Sequence, residues 1–101
     1  MLNTTKKIEN GNLFVTFEGR LDTLTSPVFE KEIEEVLPGS KSVTLDFANL
    51  EYISSAGLRT LLSIQQYMEE NGFPNVKVLN VSDVIMETFE LTGFDGMLDI
   101  G

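Results

Sequence analysis

The 101-residue chain contains no histidine, no cysteine and no tryptophan. Without imidazole or thiol it cannot assemble a Ser-His-Asp or Cys-His nucleophilic centre, thiolate redox chemistry or an ordinary structural zinc site. Nor can it build a disulfide framework. Positive charge is also scarce: 7 Lys and Arg stand against 16 Asp and Glu, a formal net charge of -9. So acidic a surface suits neither nucleic-acid phosphate nor an anionic membrane. Its ordinary consequence is solubility, and its sharper one is attraction for a basic protein partner. No stretch approaches the roughly 18 consecutive apolar residues of a membrane-spanning helix, and the amino end has no apolar signal core. The expected location is the cytoplasm.

What is present is enough for a core. Hydrophobic residues make up 42% of the chain and recur along its whole length, which argues against disorder. The length matches one domain, residues 1–101. Oligomeric state is left at monomer or weak dimer.

Residues Leu2 to Ile8 alternate weakly, Asn10-Gly11 is a strong two-residue hairpin signal, and Leu13, Val15 and Phe17 alternate beyond it. Together they predict an opening β-hairpin ending near Gly19-Arg20-Leu21-Asp22. Thr25-Ser26-Pro27 reads as cap residues before a first-turn proline. Phe29, Ile33, Val36 and Leu37 share the apolar face of helix one, which stops before Pro38-Gly39. Val43, Leu45 and Phe47 form the next strand. A second helix carries Leu58, Leu61, Leu62, Gln65 and Met68, and Asn71-Gly72 terminates it. Val76, Val78 and Leu79 predict another strand. Ser82 or Asp83 caps a third helix lined by Val84, Ile85, Thr88 and Phe89 and closed by Gly93. Met97 to Ile100 supply a last strand. Strands alternating with helices in this way predict an α/β fold: a mostly parallel central sheet, an antiparallel N-terminal hairpin, and three or four helices.

In such sheets, contacts gather in the loops after the carboxyl ends of strands. Two loops qualify, one holding Asp22 and the other holding Ser54-Ser55-Ala56-Gly57-Leu58. The serine pair opens helix two, where unpaired backbone N–H groups favour an anion. One serine serves as an N-cap in the plainest reading. Against that, the helix start has no Asp or Glu and Arg59 is a cation near its positive end, so a phosphate placed there would be welcome. Ala56 and Gly57 keep the surface low for an approaching protein, or Gly57 simply lets helix pack on strand. Asp22 is a turn residue bonding its own backbone, or an exposed acidic contact. The glycine spacing fits neither a Walker phosphate loop nor a nucleophile elbow, so no nucleotide, metal or other cofactor is expected. A carboxylate pair of Asp22 and Asp46 is the one enzymatic alternative.

Three stretches carry a resemblance: Gly19-Arg20-Leu21-Asp22, Leu45 through Leu58, and Phe89-Glu90-Leu91-Thr92-Gly93-Phe94. In order and spacing they resemble the signature regions of STAS domains, the small bacterial anti-sigma factor antagonists and their relatives. The resemblance implies the STAS fold and a binding module, not an enzyme. It implies a partner that is both anti-sigma factor and serine kinase, with a phosphatase as a further possible partner. Binding frees the sigma factor, and phosphorylation at the start of helix two ends it. By position the acceptor falls on Ser55, and the partner-contacting set is Asp22, Ser54, Ser55, Ala56, Gly57 and Arg59. The family usually reads Asp-Ser-Ser/Thr-Gly-Leu. Here Ser54 holds the aspartate position and Ala56 follows the acceptor, which makes Ser54 a second candidate. The alternative the resemblance allows is an unphosphorylated accessory subunit of a lipid-transport ATPase or a signalling scaffold.

Overall fold

The computed structural model describes residues 1–101. Strands β1 (Leu2–Glu9) and β2 (Asn12–Leu21) form the antiparallel hairpin. Asn10 and Gly11 take φ of 53° and 81°, the left-handed pair whose twist matches that of the flanking strands. Helix α1 (Ser26–Val36) follows, then β3 (Ser42–Ile53), α2 (Ser55–Glu70), β4 (Lys77–Leu79), α3 (Asp83–Thr92) and β5 (Asp99–Ile100), with single 3-10 turns at Leu37–Gly39 and Phe94–Gly96.

The sheet order is β1-β2-β3-β4-β5, and every pairing after the hairpin is parallel. Each crossover steps to the adjacent strand in the same direction. Right-handed connections of that kind place all three helices on one face. Parallel sheets are usually covered on both faces, but here the strands alternate as half-covered strands do. Leu13, Val15 and Phe17 on β2 and Val43, Leu45 and Phe47 on β3 are buried, while Phe14, Thr44 and Asp46 between them face outward.

Beneath the helices lies one cluster of 22 buried apolar residues. A file of phenylalanines crosses it: Phe29–Phe17 and Phe17–Phe47 meet edge-on at 5.0 and 5.1 Å, and Phe47–Phe89 and Phe89–Phe94 continue at 6.3 and 6.2 Å. It ties α1, β2, β3 and α3 into one packing unit. Buried Gln65 does the same for α2 by hydrogen bonding. Its Oε1 accepts from the Val76 amide at 2.7 Å, and its Nε2 donates to Asn75 and Glu69.

Several expected details differ. Val76 lies just outside β4, since its amide is taken by Gln65 and not by a neighbouring strand. Met97 and Leu98 fold back onto the Phe94 carbonyl, which shortens β5 to Asp99–Ile100. Val84 is 70% exposed: Ile85 and Phe89, four residues apart, define the buried line of α3, and Val84 is rotated away from it. Thr25 precedes α1 but makes no side-chain cap bond, because its hydroxyl is committed to the preceding loop.

Candidate functional site

The Asp22 and Ser54 loops leave the carboxyl ends of β2 and β3, which are neighbours in the sheet. The Ser54 amide donates to the Leu21 carbonyl at 2.9 Å, so the loops are joined where each strand ends. Gly57 makes the junction possible. A Cβ there would stand 2.8 Å from Ile53 Cγ1 and 2.9 Å from the Leu21 carbonyl oxygen, closer than side chains pack. Gly57 is buried, so it acts by letting the first turn of α2 settle onto the strand ends, and it offers no surface for contact.

Ser54 is the N-cap. Its backbone is extended (φ -93°, ψ 175°) and its Oγ accepts from the Gly57 amide at 3.3 Å. Serine thus fills the capping role for which aspartate is equally suited. Ser55, the first helical residue, is exposed and its side chain makes no hydrogen bond with the protein. The amides of Ser55 and Ala56 likewise find no protein acceptor, as expected at a helix start. A free hydroxyl therefore stands at the positive end of a 16-residue helix.

Asp22 behaves differently. Its Oδ1 accepts from the amides of Leu24 and Thr25, both at 3.0 Å, and from the Thr25 hydroxyl at 3.1 Å. Thr25 Oγ1 also donates to the Arg20 carbonyl at 2.8 Å. The Thr25 amide bond is the chief reason the Asp22 carboxyl is held below its ordinary value of 3.8. Arg20 reaches back to it, with Nε 3.9 Å from Asp22 Oδ2 and the guanidinium 4.3 Å above the Tyr52 ring. The turn reading of Asp22 thus has its own backbone partners, and a quarter of the side chain remains exposed.

Beside Ser55 runs a cleft of about 130 Å³ between α1 and α2, lined by Ser26, Pro27, Glu30, Ala56, Arg59 and Thr60. Ser26 reads from sequence as a cap residue and Glu30 as part of a solvated helix face, and neither these two nor Thr60 are expected at the site. Ser26 stands three residues before Phe29, so extending the apolar stripe of α1 back by one turn would have found it. The carboxylates weighed as an enzymatic pair do not meet. Asp46 lies seven residues before the end of β3, roughly 20 Å along the strand from the Asp22 loop, and it bonds Ala48 and Asn80. No three His, Cys, Asp or Glu side chains are grouped for a metal ion, and no helix is long and apolar enough to cross a membrane.

The comparisons agree with this geometry. Residues 3–101 match the model of the STAS domain. Over 87 residues the chain is 31% identical to the anti-sigma-B factor antagonist of Staphylococcus epidermidis, an alignment covering 81% of this chain and 76% of that one. Among solved structures, an anti-sigma factor antagonist from Mycobacterium paratuberculosis superposes with a TM-score of 0.86 at 21% identity, covering 99% of this chain and 85% of that one. The Bacillus cell fate determinant SpoIIAA in its phosphorylated form superposes with a TM-score of 0.78 at 15% identity, covering 98% and 91%. The chain belongs to the STAS domain family, with anti-sigma factor antagonists, regulatory proteins and not enzymes, as its relatives.

Proposed function

We propose that this protein is an anti-sigma factor antagonist whose partner is an anti-sigma factor with serine kinase activity, and that transfer of the ATP γ-phosphoryl group to Ser55 Oγ switches the complex off. The observation that carries this reading is the division of labour between the two serines. Ser54 is committed to capping α2, while Ser55 is exposed and unbonded one residue on. A kinase acting on Ser54 would first have to break the cap. The name of the Staphylococcus relative supports the partner class, and the phosphorylated SpoIIAA structure supports modification of a protein with this fold.

The energetics separate fold from interface. A phosphate adds roughly 1.5 to 2 negative charges, and at a helix N-terminus it is stabilised by about 0.3–1 kcal/mol. The domain stays folded. Pressed into an interface without a cationic counterpart, the same charge costs about 2–5 kcal/mol, or roughly 30-fold to several thousand-fold in affinity. Asp22, Ala56 and Arg59 share the surface around Ser55 and form the rest of the contact in this reading. The cytoplasm is the compartment such a regulator requires, and a phosphatase would reset it.

Incubation with the anti-sigma factor from the same genome and ATP, followed by peptide mass spectrometry, tests the reading. Phosphate on Ser55, absent from Ser55→Ala, is the expected result. Modification of neither serine, with binding unchanged in Ser55→Ala and Ser55→Asp, would point instead to an accessory subunit.

A further inference from the structure

We propose that Arg59 is the intramolecular partner of the phosphate on Ser55, holding it one helical turn from its attachment at the mouth of the α1–α2 cleft. This rests on the reading of Ser55 as the modified residue and adds how the modified state is held. Arg59 lies four residues after Ser55, and both are exposed, so their Cβ atoms share one face of α2 at about 5–6 Å. The three ion pairs of the molecule use Lys6, Lys7 and Arg20, which leaves the Arg59 guanidinium unengaged despite an excess of acidic residues. Of the other unpaired cations, Lys41 and Lys77 belong to the opposite, amino ends of β3 and β4, and Lys31 lies within α1. Arg20 is already held by Asp22 and Tyr52.

Two observations set this arginine apart from an ordinary solvated side chain. It sits in the second turn of α2, near the positive end of the helix dipole, where an adjacent anion turns an unfavourable placement of a cation into a favourable one. The cleft it lines also holds an unmet hydrogen-bonding group on the facing wall: Ser26, 2% exposed, whose Oγ has no partner. A phosphate at the mouth would meet the planar fork of Arg59 bidentately, above the wall in which that hydroxyl is buried. Glu30 on the α1 wall is the acid that lines the cleft, and it opposes the anion. The clamp would cover the phosphoryl group, so a phosphatase would have to displace Arg59 to reach it.

Phosphoserine incorporated at position 55 during translation allows the test without any kinase. The second ionisation of the phosphate is followed by ³¹P NMR titration in the otherwise wild-type protein and in R59Q, R59K and E30Q. Pairing with a guanidinium stabilises the dianion, so the midpoint is expected about half a pH unit or more lower with Arg59 than in R59Q. R59K should fall between them, and E30Q should lie at or below the wild-type value. Coincident midpoints for the Arg59 and R59Q proteins would overturn the clamp even if the kinase modifies Ser55. Conversely, failure of the kinase to modify Ser55 would sink the switch while leaving the titration interpretable.

Discussion

The loops after β2 and β3 lie side by side, joined by the Ser54–Leu21 hydrogen bond, yet they spend their polar groups in opposite ways. The Asp22 loop turns inward: its carboxylate collects two amides and a hydroxyl, and Thr25 binds back to the Arg20 carbonyl. The Ser55 loop holds back one hydroxyl. Ser54 meets the cap requirement alone, and Ser55 remains free. One loop is a fixed wall and the other carries the adjustable group, which is the arrangement a modification switch needs if the fold is to survive the modification.

The sharpest way to break this pairing is at the joint. Gly57→Ala places a methyl group against the Leu21 carbonyl and the Ile53 side chain, and should cost about 1–3 kcal/mol in urea unfolding. Gly57→Val should cost more, and in either variant binding weakens because the α2 terminus shifts. Gln65→Leu tests the far anchor of α2 and orphans the buried Val76 amide, for a loss of about 1–3 kcal/mol. The two serines should separate cleanly in the same assay. Ser54→Ala loses the cap, about 0.5–2 kcal/mol, whereas Ser55→Ala should stay within about 0.5 kcal/mol of wild type. If Ser55→Ala were the more damaging of the pair, the roles assigned to them would be reversed. Ser26→Ala removes a buried hydroxyl that has no partner, and should leave the unmodified protein as stable as wild type or more so.

The inward loop also has a pH signature. Asp22 titrates below its ordinary value of 3.8 in the folded protein, so its contribution to stability is complete above that value and is lost as pH falls through the lower folded value. Asp22→Asn should therefore flatten the stability profile of the wild type below about pH 4, and leave the shape of the profile near neutrality unchanged. Acid unfolding followed by circular dichroism measures this. An unchanged acid limb would mean that the hydrogen bonds to Asp22 do not favour its ionised form.

Much of the fold was legible because period and punctuation agree in this chain. Asn10-Gly11 and Gly93 stand where left-handed backbone is required, and Phe29 and Ile33 mark the buried stripe of α1, which Leu37 continues just past its end. Two misreadings fell where a side chain took a partner that the local pattern assigned elsewhere. Gln65 ends the ladder at Val76 from eleven residues away and leaves no local pattern in sequence, whereas Thr25 serves the Asp22 turn three residues back, a local bond that competes with the cap. At the site, the position of Ser55 and the absence of first-turn acids could be read directly. Which serine caps, and that Gly57 is buried, could not, because both depend on how closely β2 approaches β3.

The most direct test of the central claim compares phosphorylated and unmodified protein in two quantities at once: affinity for the anti-sigma factor and midpoint of thermal unfolding. Phosphate on Ser55 should lower affinity by roughly 30-fold or more without lowering the unfolding midpoint. Equal affinities, or a weakened complex accompanied by a destabilised fold, would contradict the account.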